Sequence, residues 1–190
     1  DTVLYTGNGT TGQSVTGLEF APDFVWIKSR SFSNNHHLFD TVRGPDKILR
    51  SSSTDAESTV TGVMSSFNSG GFTVKEGGGN NATNDDGSTF VAWCWKAGGS
   101  SNTYNIDGVG YATATAAGLD GGTKNPTGAS VNTKTGFSII SYVASNGTND
   151  TIYHGLKQAP EMIFTKDRDN SRGWGVYYSC LLYTSDAADE

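Results

Sequence analysis

A long internal repeat constrains the architecture of this chain more than any other feature. The segment Asn8–Arg30 recurs without a gap as Asn146–Arg168, at a spacing of 138 residues. Nine of the 23 aligned positions are identical, and many others are conservative exchanges such as Val25 with Ile163. Solenoid units run about 20 to 50 residues, so this spacing indicates a module repeated in tandem.

Short apolar segments separated by Gly-, Ser- and Asn-rich turns predict that each module is built from strands. No window has a convincing helical period, apart from one turn of helix at most in 55–60. The pattern predicts an all-β protein, an antiparallel β-sandwich. In 24–28 both alternating faces are apolar, which predicts a strand buried between two layers. The predicted strands are 1–5, 24–28, 37–43, 47–51, 71–75, 89–96 and 136–142.

The repeat also predicts the domain organisation. Residues 1–98 form one β-sandwich module whose first strand is truncated, and 136–179 form the opening third of a second module. Residues 99–135, rich in Gly, Ser, Thr and Asn, join the two. Within this segment, 111–115 and 130–133 are candidate edge strands.

The last eleven residues, 180–190, have a different origin in our interpretation. They read CLLYTSDAADE, which resembles the translation of a transposase-type sequencing adapter. We therefore expect 180–190 to be an assembly artefact. Without it one cysteine, Cys94, remains, which excludes an intrachain disulfide framework and suits folding in a reducing cytoplasm.

Charge and hydropathy exclude two classes of partner. The formal net charge is −6 and no basic run occurs, which argues against nucleic acid or an anionic membrane surface. No apolar stretch is long enough to predict a membrane span.

The motifs resemble those of a known family. FAPDFVWIKSR, HHLFDTVRG, GGFTV and FVAWCWKAG, followed by GFSIISY and QAPEMIFTKDR, resemble a domain of unknown function that recurs in tandem in tail and virion proteins of marine bacteriophages. The second copy resembles the form of the family in which a Trp-x-Val-Tyr strand (Trp174, Val176, Tyr177) replaces the His-Leu-Phe-Asp strand (His36, Leu38, Phe39, Asp40). The resemblance implies a concanavalin-like jelly roll acting as a fibre or receptor-contact module, and it implies no catalytic residues.

Two groups of side chains are candidate metal ligands. His36, His37 and Asp40 include the commonest transition-metal ligand, but adjacent residues of a strand point to opposite faces, which favours a structural or loop-contact role. Asn84, Asp85 and Asp86 offer clustered oxygen ligands for calcium, although the EF-hand spacing is absent. The plainer interpretation is an Asx-type turn before the strand at Thr89. No other cofactor is predicted.

Candidate contacts to sugars lie mainly in loops. We expect Trp26 and Trp93 to pack in the core, whereas Trp95, at the end of its strand, is a candidate for contact. The glycine-rich loop 76–79 lacks the residues of a phosphate cradle, and Cys94 is expected to be an inert buried thiol. The candidate binding residues are Asn34, Asn35, His36, Trp95 and Tyr104, with the loop 80–86.

Catalytic motifs are absent, so we expect no enzymatic activity. A glycosidase pair such as Glu57 with Asp85 would be an arbitrary choice. The favoured function is a structural module of a phage tail or fibre, assembled in the bacterial cytoplasm. Its partners would be other virion proteins and host-surface polysaccharide, and homo-oligomerisation is left open. The alternatives are a secreted, extracellular adhesin or lectin and a tailspike-like depolymerase.

Overall fold

Fifteen strands in four sheets make up the fold in a computed structural model, which describes residues 1–76, 83–145 and 149–179. Those residues contain no helix, and the sheets are antiparallel except for one parallel pair. The predicted all-β, antiparallel sandwich class is therefore confirmed. The tail 180–190 lies outside the described residues, as do parts of the loops 76–79 and 80–86.

A two-sheet sandwich forms the first unit. Its larger sheet has the strand order β1-β9-β3-β4-β5-β6, and the smaller one has the order β2-β8-β7. Within the larger sheet, β9 is paired with β1 on one side and β3 on the other. The strands of the unit are β1 (Thr2–Thr6), β2 (Gln13–Thr16), β3 (Phe24–Ser29), β4 (His37–Asp40), β5 (Gly44–Leu49), β6 (Ser58–Thr59), β7 (Met64–Asn68), β8 (Gly71–Val74) and β9 (Thr89–Trp95).

The core of this unit lies between the two sheets, where alternate residues point inward. On β9, Phe90, Ala92 and Cys94 are fully buried and pack with residues of the smaller sheet such as Phe72. On β3, Val25 and Ile27 face this core, whereas Phe24 and Trp26 lie half-buried on the opposite face. The prediction that β3 is buried on both faces was wrong, because its aromatic side chains form part of the outer surface.

Asp40 places the turn between β4 and β5 at 41–43, so β4 ends earlier than the predicted strand 37–43. Its carboxylate accepts hydrogen bonds from the backbone N–H groups of Val42 and Arg43, at 3.0 and 2.9 Å. This side-chain turn reverses the chain at 41–43. Strand β5 consequently begins at Gly44, whose φ of 99° suits glycine.

A second core is formed by the Gly/Ser/Thr/Asn-rich segment and the first strand of the second copy. Strands β10 (Tyr104–Ile106), β11 (Val109–Tyr111), β12 (Gly128–Asn132) and β13 (Phe137–Ser141) form a sheet of order β11-β10-β12-β13. All five residues of β12 are buried, so this candidate edge strand is an inner one. It packs with Leu119 and two buried alanines.

The last two strands repeat a hairpin of the first unit. Strands β14 (Met162–Thr165) and β15 (Gly175–Tyr178) form a two-stranded sheet. Met162 pairs with Tyr178, and 138 residues earlier Phe24 pairs with Asp40. All four cross-strand pairs of β14 and β15 correspond in this way to pairs of β3 and β4. The sequence repeat is thus also a structural repeat, down to strand register.

Candidate functional site

An aromatic surface runs along the outer face of the larger sheet. Trp26 and Trp93 are cross-strand partners with ring centroids 5.9 Å apart, and Phe24 and Trp95 are partners at 5.5 Å. Phe137, from the second copy, stacks on Trp95 at 6.0 Å. We call this surface the aromatic strip; its members are Phe24, Trp26, His36, Trp93, Trp95 and Phe137.

The strip corrects the expectation that Trp26 and Trp93 pack in the core. Neither belongs to a buried core cluster, and both are half-buried. The alternation of β9 places Trp93 and Trp95 on the face opposite Cys94. What the sequence did not reveal is that this face points outward, because both faces of the strand are apolar. Trp95 is 38% exposed, although Phe137 covers part of its ring.

His36 lies at one end of the aromatic strip and is hydrogen-bonded to Trp26. The Trp26 indole Nε1–H donates to His36 Nδ1 at 2.8 Å, which requires that Nδ1 carry no proton. Burial, together with the positive charge of Lys28, lowers the pKa of His36 below its usual 6.5. Both effects keep the imidazole neutral. His37 is buried on the opposite side, so the structure separates the two histidines, as expected for adjacent strand positions.

A polar depression adjoins His36. The Ser52 hydroxyl donates to Asn35 Oδ1 at 3.0 Å and accepts from the His36 backbone N–H at 3.1 Å. Ser51, Ser52, Ser53 and Thr54, with Trp174 of the second copy, line an open depression of about 490 Å³. We call it the serine depression. The candidates Asn34, Asn35 and His36 lie in the half-buried loop beside it, but the lining residues had not been recognised from sequence, since Ser51–Thr54 carry no motif.

A charged cluster, buried except for Arg168, links the two copies of the repeat. The Glu57 carboxylate accepts hydrogen bonds from Arg43 Nη1 at 3.1 Å and from Arg168 Nε and Nη2 at 2.9 and 2.8 Å. Arg43 also binds Asp40, at 2.5 Å. The Glu57 backbone N–H donates to Arg168 O at 2.8 Å. We call Asp40, Arg43, Glu57 and Arg168 the charge bridge.

The charge bridge determines the protonation of Glu57. Burial alone would raise the pKa of Glu57, but the hydrogen bonds and positive charges of Arg168 and Arg43 outweigh it and lower that pKa. The carboxylate therefore stays ionised and fully engaged. A general acid needs a raised pKa, so this geometry does not favour Glu57 for that role.

Several other candidate residues are hydrogen-bonded within the protein or buried in it. The Tyr104 hydroxyl donates to Pro126 O at 2.9 Å, and its ring packs on the second core. Asn84 is fully buried, where it accepts from Asn8 N and donates to Thr10 O, while Asp86 is exposed. Burial of Cys94 raises its pKa to about 12. Within the described ranges, no three His, Cys, Asp or Glu side chains cluster as metal ligands would.

Comparison with known proteins gives one match. The family model described as "Domain of unknown function (DUF7483)" matches residues 1–188. A single family model thus spans both copies of the repeat and most of the tail predicted to be an artefact. No curated protein and no solved structure matches the chain. The described residues also contain no helix with the length and hydrophobicity needed to cross a bilayer.

Proposed function

The chain belongs to the DUF7483 family, and we propose that it is a structural module of a bacteriophage tail or fibre, repeated in tandem, that contacts host-surface polysaccharide. The fold proposed for each module is the concanavalin-like jelly roll that the sequence resembles. Face-to-face packing of the larger and smaller sheets around one core supports that choice.

The observation that carries the structural role is the charge bridge. Solvent-exposed ion pairs contribute little, but the side chains of Arg43 and Glu57 are only 6% and 10% exposed. Glu57 in turn accepts two hydrogen bonds from Arg168 of the second copy, whose side chain is 40% exposed, and these bonds hold the second copy in one orientation against the first. Stacking of Phe137 on Trp95 adds a second contact between the copies. Rigid joints of this kind give a tandem array length and stiffness.

Polysaccharide contact is supported by the serine depression and the aromatic strip. Hydroxyl groups at 51–54 and the Asn35 side chain offer hydrogen bonds to sugar hydroxyls. Half-buried indole rings offer flat apolar surfaces of the kind on which sugar rings stack. The depression is shallow, so a single site would bind weakly. Repetition along a fibre would provide avidity through multivalency.

A virion assay tests the structural role. Purified phage particles encoding this chain are analysed by quantitative mass spectrometry, alongside the secreted fraction of uninfected host cells. We expect its peptides in the particles at a fixed ratio to other tail proteins. Their presence in the secreted fraction instead would support the adhesin alternative.

A cell-binding assay tests polysaccharide contact. The fluorescently labelled chain is added to host cells, with Trp93→Ala and Asn35→Ala as test variants and Phe164→Ala as a matched control for loss of an exposed aromatic. We expect the first two to reduce binding and the control to preserve it. If the labelled chain without substitutions does not bind the cells, only the structural role remains. New reducing ends in the polysaccharide would instead indicate a depolymerase.

A further inference from the structure

The aromatic strip carries a positive charge at one end, on the outer face of β3. Lys28 follows Phe24 and Trp26 on this face, because alternate residues of a strand share a face. The side chain of Lys28 is half-buried. Its charge is close enough to His36 to contribute, after burial, to the lowered pKa of that imidazole. The strip therefore combines indole rings with a neighbouring cation.

Two backbone carbonyl groups hold the Lys28 ammonium in position without neutralising it. Lys28 Nζ donates to Ser29 O at 2.6 Å and to Phe32 O at 2.9 Å. A lysine ammonium has three N–H donors, so one donor remains after these two bonds. No ion pair in the described part of the chain includes Lys28. The ammonium therefore keeps one donor and its full charge for a ligand.

The strand register surrounds Lys28 with uncharged residues on the outer face. Its cross-strand partner on β9 is Val91, and the partner of Val91 on β1 is Leu4. The next pair along the same face is Trp26 with Trp93. Partly buried charges are screened less than exposed ones. An anion held at this position would therefore interact strongly with the ammonium.

The second copy shows the equivalent lysine in a different setting. Lys166, the counterpart of Lys28, donates to Asp167 O at 2.7 Å and to Asn170 O at 3.2 Å. The lysine thus supports the turn after its strand in both copies. Asp167 replaces Ser29, which brings a carboxylate into this loop, whereas the loop 29–36 of the first copy contains none. The structural role is common to both copies, but the loop without a carboxylate is specific to the first.

We propose that the polysaccharide bound at the aromatic strip is acidic and contains uronic acid, with Lys28 binding a carboxylate while Trp26 and Trp93 contact the sugar rings. This inference rests on the polysaccharide contact proposed above and specifies its chemical class. Residues two apart on a strand are about 6.6 Å apart, so the anion must be attached directly to a ring that contacts the indoles. The C5 carboxylate of a uronic acid meets that condition. The formal net charge of −6 opposes binding of an acidic polymer elsewhere on the surface.

Two probes that differ in charge test the proposal. Fluorescent oligogalacturonides, and the same oligosaccharides with their carboxylates converted to methyl esters, are titrated into the full chain and followed by anisotropy. We expect the acidic form to bind at least about fivefold more tightly, because charge-assisted hydrogen bonds are stronger than neutral ones. This preference should decrease at high salt. Equal affinities would overturn the proposal and leave sugar contact itself intact, whereas binding of neither probe would overturn the proposal and count against sugar contact as well.

Matched variants of the protein locate the cation. Lys28→Gln should abolish the preference for the acidic probe without changing the affinity for the methyl ester, and Lys28→Arg, which keeps the charge, should preserve the preference. Lys75 follows β8 in the smaller sheet, and Lys75→Gln should change either affinity by less than about twofold.

Thermal unfolding separates the structural role of the lysine from binding. Lys166→Gln removes the equivalent two bonds to backbone carbonyls in the second copy, so Lys28→Gln and Lys166→Gln should have similar melting temperatures. Equal loss of affinity for both probes in Lys28→Gln would show that Lys28 acts only through the loop, and would overturn the proposal. An equal effect of Lys75→Gln would overturn it too, since binding would then follow net charge rather than the strip.

Discussion

At the scale of single residues, the hydrogen bond between Trp26 and His36 makes the aromatic strip sensitive to pH. Its geometry needs a neutral imidazole, and protonation of Nδ1 would remove the acceptor. A histidine whose folded pKa is lowered destabilises the fold as pH falls through the unfolded value, about 6.5, toward the folded one. The stability contributed by neutral His36 is therefore fully present above about pH 6.5 and is lost as the pH falls below that value.

We predict that His36 titrates below 6.5, and that the Trp26 indole N–H resonance shifts with the same midpoint. NMR titration measures both, and Trp26→Phe assigns the indole signal. A His36 midpoint at or above 6.5 would contradict the prediction.

Cys94 illustrates how burial removes chemical reactivity. Its thiol is fully buried and its pKa is raised to about 12. We predict that, in a Cys180→Ser background, a maleimide at pH 8 does not label the native protein and labels it fully in urea. Mass spectrometry gives the stoichiometry. Rapid labelling of the native protein would show that the core of β9 opens.

At the scale of elements, the two hairpins show the same local structure in different surroundings. Strands β14 and β15 reproduce the register of β3 and β4, yet all eight of their residues are exposed. The same hairpin register therefore occurs in both copies, while burial depends on what packs against the hairpin.

Substitution at equivalent positions of the hairpins tests this separation. Phe39 is fully buried, so Phe39→Ala should lower the free energy of unfolding by about 3 to 5 kcal/mol. Its counterpart Tyr177 is 45% exposed, and Tyr177→Ala should cost less than about 1 kcal/mol. Urea denaturation measures both. Similar costs would mean that the second hairpin is buried in solution.

At the scale of the whole molecule, the charge bridge connects the two copies. Removal of Glu57 would leave the buried Arg43 with Asp40 as its remaining carboxylate partner, and would leave Arg168, 40% exposed, without the carboxylate that it binds in this cluster. The contribution of Glu57 is present above its unfolded pKa and is lost as pH falls through the lowered folded value.

We predict that Glu57→Gln costs about 3 kcal/mol of stability at pH 7 and increases motion between the copies, measured by urea denaturation and small-angle scattering. Asp55→Asn is the matched control. Asp55 is 58% exposed and lies 3.9 Å from Arg50, so its loss should cost less than about 0.5 kcal/mol. Equal effects would show that the bridge does not couple the copies.

Prediction from sequence succeeded where the pattern is local. The apolar pattern predicted the strand 89–96, which is β9, and the family resemblance predicted a strand at Trp174, Val176 and Tyr177, which is β15. Prediction from sequence failed for the burial of Trp26, which was expected in the core, and for the position of β12, which was expected at a sheet edge. An apolar strand face does not reveal whether another layer covers it, and a segment rich in small polar residues does not reveal that its centre is buried. The serine depression was missed because the first copy supplies its hydroxyls and the second its indole.

The sequence by itself determined the all-β class, the tandem repeat and most strands, because alternation, turn residues and internal similarity act over short stretches of chain. Only the tertiary structure decided which face of β3 and β9 is outer and which strands share a sheet. It also decided that Glu57, isolated in sequence, joins Arg43 and Arg168. These features depend on contacts between distant segments, such as the 111 residues that separate Glu57 from Arg168, and no local pattern encodes those contacts.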